Sequence, residues 1–427
     1  MTANHKPINV KYLPFLNYLK SSKEEKIKKY FRYPDEFHAS LTHYLQNFGN
    51  RNIEHNYAKI PLHKIIVNEI FNFANDTYIP GLESNLHFNL RFNGIPFPPP
   101  KNPKFTFIDL FAGIGGFRIA LQNLGGKCVF SSEWDKSAKE TYFNNFGEVP
   151  FGDINYFTSP EKSDRVISNF IPDHNILAAG FPCQPFSRAG VSARNSLGQK
   201  TGFKCEIQGS LFFNIARIAR VKKPDVIFLE NVKYLKSHDE GNTFKRIRDT
   251  IEKELGYGFI SDIINSNTLV PQNRERCYIV SIKKHNDFEF PKFKGMPLPL
   301  KRILEEKVPD EFTISDKLWE GHKKRTQRNI KRGTGFTAFE ADLNRPSHTI
   351  VARTGKDGKE CLIPQKGKNP RKLTPRECAR LQGFPDNFIL PQTAAPAYRQ
   401  FGNAVPVPVV QKIALNIIRE LKESLES

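Results

Sequence analysis

Apolar and polar residues along the 427-residue chain follow two periods. Short apolar runs at Phe105–Phe111, Lys127–Ser132, Asn175–Phe181, Asp225–Leu229 and Cys277–Ile282 have the length and continuity of buried strands. Between them, Gly116–Leu124, Ser210–Val221 and Thr243–Leu255 carry helical spacing. In the last, Phe244, Ile247, Ile251 and Leu255 form one stripe, and Gly256 follows as a stop signal. Strands alternating with helices predict an α/β fold with a doubly wound, mostly parallel sheet. Ahead of it, residues 1–95 show helical periodicity, as at Ile65, Ile66, Ile70 and Phe71, and predict an N-terminal helical extension. A Pro-rich linker at 96–104, containing Pro98-Pro99-Pro100, continues neither helix nor sheet and reads as a boundary. The main α/β domain is expected over 105–282. From 283 to 370 regularity gives way to Pro-, Lys- and Gly-rich sequence, which predicts a small irregular domain. Residues 371–427 return to the main domain. There Thr374-Pro375-Arg376-Glu377 is a capping box with proline at the first helical position, and Gly383 and Pro385 end the helix. A final amphipathic helix is expected from Val409 to Leu425.

Composition adds charge to this picture. Lysine and arginine number 64 against 44 acids, a formal net charge of +20, which points to a polyanionic partner. The surplus is uneven: between Ser281 and Pro375, 22 basic residues face 12 acids. The densest run, His322 to Arg332, holds Lys323, Lys324, Arg325, Arg328, Lys331 and Arg332 with no acid, either a solvated helix face or a phosphate-binding edge. Hydrophobic residues at 39% and charged ones at 25% are ordinary for a globular protein and too apolar for a disordered one. No apolar stretch approaches the roughly 18 residues of a membrane span, and Met1 to Lys6 leads into no signal-peptide core. The six cysteines contain no C-x-x-C pair, which argues against a zinc ribbon or a disulfide scaffold. A reducing cytoplasmic location is expected, with no membrane partner and no metal.

Two clusters carry candidate chemistry. In the first, Thr106 to Leu110 runs into Phe111-Ala112-Gly113-Ile114-Gly115-Gly116, a strand, a glycine turn and a helix start, where backbone approaches a ligand closely. Glu133 ends the next strand, where doubly wound folds place an acid against ribose hydroxyls; Trp134 is suited to an adenine face. Asp153, ahead of Ile154, is placed to accept from an adenine amino group. The third glycine of the dinucleotide fingerprint is missing, which disfavours NAD and suits a nucleoside such as S-adenosylmethionine. In the second cluster, Pro182-Cys183-Gln184-Pro185 follows a buried strand at the same rim, as a nucleophile turn or as a buried packing cysteine. Glu230, after Val226 to Leu229, is a carboxylate expensive to bury without a purpose. Arg274 and Arg276, alternate positions before a strand, are surface charges or bracket an anionic or carbonyl-bearing substrate.

In this order the residues resemble the DNA (cytosine-5) methyltransferase family. Phe111 to Gly116 looks like its cofactor loop, Pro182-Cys183-Gln184 its nucleophile motif, Glu230-Asn231-Val232 its acid motif and Gln272 to Arg276 its Q-x-R-x-R. Arg376 to Pro385 resembles the helix joining its two domains, and Gly402-Asn403-Ala404-Val405 its closing cofactor motif, with Ala404 where serine is usual. The likeness spans about residues 105–425 and is clearest to the bacterial Dcm-type branch, through segments such as Asn195-Ser196-Leu197-Gly198 and Thr349-Ile350-Val351-Ala352-Arg353. It implies a Rossmann-like, S-adenosylmethionine-dependent catalytic domain, with 283–370 as a target recognition domain. It also implies a monomer methylating carbon 5 of a flipped cytosine in double-stranded DNA, beside a cognate restriction endonuclease acting on the same site. By the same correspondence Cys183 is the nucleophile, Glu230 and Arg276 hold the base, and Arg274 supports them. Pro182, Asn403 and Val405 join the cofactor set of Phe111 to Gly116, Glu133, Trp134, Asp153 and Ile154. Ser187 and Arg188, in a loop to Gly198 expected to close over DNA, join Lys323, Lys324, Arg325, Arg328, Lys331, Arg332, Thr334, Thr349 and Arg353 as expected DNA contacts. Three rival readings remain open: a tRNA cytosine-5 methyltransferase, a DNA-binding protein with an idle methyltransferase core, and a NAD-dependent oxidoreductase.

Overall fold

The computed structural model describes residues 8–75, 88–182, 211–283, 288–333 and 337–426. Cys183, Ser187, Arg188, the expected 187–198 loop and Thr334 lie outside the described residues. Near the N-terminus β1 (Ile8–Lys11) pairs in parallel with β2 (Phe88–Arg91), a strand pair that the helical periodicity of 1–95 does not announce. Between them run helices Tyr12–Ser22, Phe37–Gln46, Arg51–Tyr57 and Pro61–Ala74.

The central sheet has six strands: β3 (Phe105–Leu110), β4 (Gly126–Ser132), β5 (Ile176–Gly180), β6 (Val226–Val232), β7 (Ile260–Asn265) and β8 (Glu275–Ile282). Their order is β4-β3-β5-β6-β8-β7. The first four are mutually parallel, and β8 runs antiparallel to both β6 and β7. Successive residues of β6 serve opposite faces: Val226 and Phe228 enter one apolar cluster, Ile227 and Leu229 the other. Helices Gly116–Gln122, Pro375–Leu381, Ala394–Asn403 and Val407–Glu426 contribute to the first cluster; Leu211–Lys222, Asn242–Asp249 and the N-terminal helices contribute to the second. Strand order reverses between β3 and β5, which opens a crevice at their carboxyl ends.

Several elements depart from the sequence pattern for identifiable reasons. Strand β6 continues past Leu229 to Val232, so Glu230 lies inside a strand rather than after one. Strand β7 escapes the apolar-run criterion because it is a sheet edge with Asp262 exposed. The stripe from Thr243 is a regular helix only to Asp249 and then widens into a π turn at Thr250–Glu254. Helix Ala394–Asn403 is masked by Pro396, which a first helical turn tolerates. The stretch Ala394–Leu421 contains an 18-residue window of hydropathy 1.2. That window is 56% buried inside the molecule, which accounts for its apolar character.

The 96–104 segment does not separate two cores. One apolar cluster runs from Tyr12, Phe15 and Tyr57 to Val129, Phe130, Phe151 and Phe170. The N-terminal layer also satisfies the free edge of β4: Tyr57 donates to the Val129 carbonyl, and the Ser131 amide donates to His43 Nε2 at 3.1 Å. Beneath lies a buried network in which Glu148 accepts from Arg118 (2.5 Å) and Ser131 (2.8 Å). Burial opposes the Glu148 charge, yet the Arg118 guanidinium holds its carboxyl below the usual range. Residues 283–370 contain helix Asp316–Lys331, a miniature core of Ile314, Ala338 and Leu362, and β9 (Leu362–Gln365), which pairs antiparallel with β10 (Lys368–Lys372). The Thr374 capping box forms as expected, and Arg371 grips Glu377 through two 2.8 Å hydrogen bonds.

Candidate active site

The chain leaves β3 through Phe111 and Gly113, both with φ of 55°, and Gly115 with φ of 84°. The next residue must also be glycine, because a Cβ on Gly116 would lie 2.7 Å from Val405 Cγ2. Glu133, immediately past β4, folds back over this turn. Its Oε2 accepts from the Gly113 amide and its Oε1 from the Asp135 amide, each at 2.8 Å. Burial pushes its carboxyl above the usual range, while these backbone donors pull it down. Glu133 thus orders the loop first, with lone pairs left for a ribose diol. Trp134 beside it is 74% exposed, its ring open to a stacking partner. A bridge between Ser132 and Phe151 brings exposed Asp153 to the same edge. Ile154 is buried, so its side chain belongs to the core and its service to the site is to seat Asp153. Asn403 is exposed at the end of helix Ala394–Asn403.

Across the crevice, register sets the chemistry. Glu230 pairs with Gly180 on one side and Tyr278 on the other. Arg276 pairs with Val232, which puts it on the same face as Glu230, a diagonal neighbour. Arg276 Nε lies 3.2 Å from Glu230 Oε1. Burial raises the Glu230 carboxyl above its usual range, against the opposing pull of Arg276 and Arg274. A Cβ on Gly180 would lie 3.7 Å from both Glu230 Oε2 and Val405 Cγ1. Acid and cofactor cradle therefore adjoin at the end of β5. Asn231 Nδ2 donates to the Phe181 carbonyl at 3.3 Å, which fixes the chain just before Pro182.

Arg274, expected in a supporting role, lies behind the site. It is 2% exposed and its guanidinium donates to the carbonyls of Ile350, Gly402 and Ala404 at 2.9–3.1 Å. It is a positioning strut that ties β8 to the closing loop. The Ala404 contact is through backbone, so the usual serine side chain is not needed for it. Gln272, absent from the expected site set, acts likewise: it donates to the Leu381 carbonyl and accepts from the Ile350 amide. Its place in the Q-x-R-x-R motif was the available signal. Thr349 donates to the Asn273 carbonyl, and Arg353 is exposed, with Glu360 4.0 Å away. Cys128, Cys277, Cys361 and Cys378 are all buried. Burial pushes the Cys277 and Cys361 thiols up to about 12, away from thiolate chemistry. Among the described residues no cluster of His, Cys, Asp or Glu is arranged to hold a metal ion.

This is the doubly wound fold of the S-adenosylmethionine-dependent methyltransferases, with its ligand crevice at the topological switch point. The chain belongs to the C-5 cytosine-specific DNA methylase family, whose model matches residues 105–419. It is 48% identical over 345 residues to the type II methyltransferase M1.ScrFI of Lactococcus lactis subsp. cremoris, covering 78% of this chain and 84% of that protein. It is 47% identical over 334 residues to the type II methyltransferase M.SsoII of Shigella sonnei, covering 76% and 83%. Among solved structures, the Entamoeba histolytica methyltransferase EhMeth superposes with a TM-score of 0.57 at 21% identity, over 74% of this chain and 98% of that one. Enzymes of the family take their methyl group from S-adenosylmethionine. The residues present fit it: the turn is open at Gly113, where nothing lies within 4 Å of a Cβ position, Glu133 offers an acid at a ribose position and Trp134 an open ring.

Proposed function

We propose that this enzyme methylates carbon 5 of a flipped cytosine in a specific duplex DNA site, in the cytoplasm, as a monomer. We place it within a restriction–modification system, where it protects that site from a cognate endonuclease. Type II naming of the relatives supports that setting. The observation that carries the residue assignments is the meeting of Glu230 and Val405 at Gly180, three residues before Cys183.

A paired cytosine hides its ring, so the base must leave the stack at a cost of a few kcal/mol. Cys183 then adds as thiolate to carbon 6, which turns carbon 5 into an enamine-like nucleophile. Glu230, its proton held more tightly by burial, hydrogen-bonds ring nitrogen 3 and the exocyclic amine as negative charge develops there. Arg276 orients that carboxylate and reaches the carbonyl oxygen at carbon 2. S-adenosylmethionine supplies the electrophilic methyl group. Loss of the carbon 5 proton then expels Cys183 and restores the ring. The cofactor would be held by Phe111, Ala112, Gly113, Ile114, Gly115 and Gly116 with Glu133, Trp134, Asp153, Pro182, Asn403 and Val405.

On helix Asp316–Lys331 buried His322 and Thr326 face inward. Lys323 is paired with Glu320, and Arg325 lies 3.6 Å from Asp357. Lys324, Arg328, Lys331 and Arg332 are exposed and make no ion pair among the described residues. Their i, i+4, i+7 and i+8 spacing lines one face, which favours a phosphate-tracking edge over a merely solvated one. Bisulfite sequencing of plasmid from expressing cells tests the whole reading. It should show 5-methylcytosine at one recurrent sequence, and unmethylated DNA would refute it.

A further inference from the structure

A second cavity, of about 620 Å³, opens where the N-terminal layer meets the sheet. Twelve of its thirteen lining residues precede residue 105, where the family match begins; the other is Lys127 on β4. It lies at the amino ends of the parallel strands, beside Lys127 and the approach to β3, whereas Glu133 and Gly113 sit at the carboxyl ends. Five residue steps along β4 lead from Lys127 to Ser132, about 17 Å of strand, so the cavity is remote from the methylation crevice.

The lining has one sign of charge. It contains Arg91, Lys101 and Lys127 and no acid. Lys127 makes no ion pair among the described residues, and burial pushes its ammonium down to about 8 against the pull of the Glu148 carboxylate. Phe48 and Phe92 supply two rings, braced by His63 at 4.9 Å and Tyr12 at 4.6 Å. The side-chain amides of Asn89 and Asn93 add polar groups, while that of Gln46 donates to the Phe146 carbonyl and accepts from Arg118. A volume of this size, part apolar and part cationic, matches a small ligand of mixed character.

We propose that this cavity binds a free mononucleotide, its phosphate among Arg91, Lys101 and Lys127 and its base against Phe48 and Phe92. Phosphate geometry suits the Arg91 fork with two point charges beside it. The base is read by stacking, so selectivity among bases is weak. The extension thereby acquires a ligand of its own, separate from cofactor and DNA.

Isothermal titration of UMP into the full-length protein tests this, since UMP lacks the adenine that the cofactor crevice takes. UMP should bind with a Kd below about 1 mM, and uridine or inorganic phosphate alone about tenfold or more weakly. Lys127→Gln with Arg91→Gln should weaken UMP about tenfold or more, and Lys101→Gln less, while S-adenosylmethionine affinity stays unchanged as the control for folding. Failure of UMP to bind, or equal binding by wild type and variants, would overturn the proposal. So would substitutions that affect only the binding of tetrathymidylate without a terminal phosphate, because the ligand would then be a nucleic-acid strand.

Discussion

Glu230 occupies a strand interior where a carboxylate is expensive, and Arg276 at 3.2 Å is the partner that makes it tolerable. Glu230→Gln keeps the shape and removes proton transfer, so single-turnover methylation should slow about 100-fold or more while DNA binding is retained. An unchanged rate would remove Glu230 from the mechanism. Arg274→Ala strips two buried carbonyls and one part-buried carbonyl of their donor; urea unfolding should show a loss of about 3 kcal/mol. Asp109, 1% exposed on β3, is a different case: burial pushes its carboxyl well above the usual range despite Arg118. A carboxyl raised on folding must hold a proton that the unfolded chain releases, so its penalty is absent below about pH 4 and grows as pH rises toward the folded value. Asp109→Asn should therefore stabilise the protein at pH 7.5 and change little near pH 3.5, as read by urea unfolding at both. A destabilised variant at pH 7.5 would show that the ionised form is the one the fold uses.

At the scale of elements, the legible parts of the fold were those with a single strong period. Buried β3, β4 and β5 read as apolar runs because both faces are covered, and the Thr374 capping box is local chemistry. The edge strand β7 and the helix containing Pro396 were not legible, since half-exposure and proline break the period. The candidate site follows the same division. Gly113, Glu133 and Glu230 are recognisable from position along a strand, but the way Arg274 gives support depends on which carbonyls arrive from Ile350 and Gly402, far away in sequence. Helix Asp316–Lys331 belongs to this scale too. Changing Lys324, Arg328, Lys331 and Arg332 to glutamine should lower the slope of log affinity against log salt by about 0.9 for each phosphate that the helix no longer neutralises, measured by filter binding. An unaltered slope would return that face to solvent.

For the whole molecule, the main consequence is that the N-terminal layer is part of the core. Tyr57 and His43 complete the edge of β4, and Phe130, Phe151 and Phe170 pack beneath them. Deleting residues 1–95 should expose this aromatic face and give aggregated protein by size-exclusion chromatography; a soluble, active remainder would mean that the layer is dispensable. The net charge of +20 also resolves at this scale, with 22 basic residues against 12 acids between Ser281 and Pro375. The central claim is covalent catalysis through Cys183, with Glu230 and Arg276 holding the base. Its most direct test is incubation with S-adenosylmethionine and duplex DNA carrying 5-fluorocytosine at the target, where fluorine blocks the final proton loss. Wild type should form a protein–DNA adduct that survives denaturing electrophoresis, and Cys183→Ala should form none; an adduct with Cys183→Ala, or none with wild type, would contradict the account.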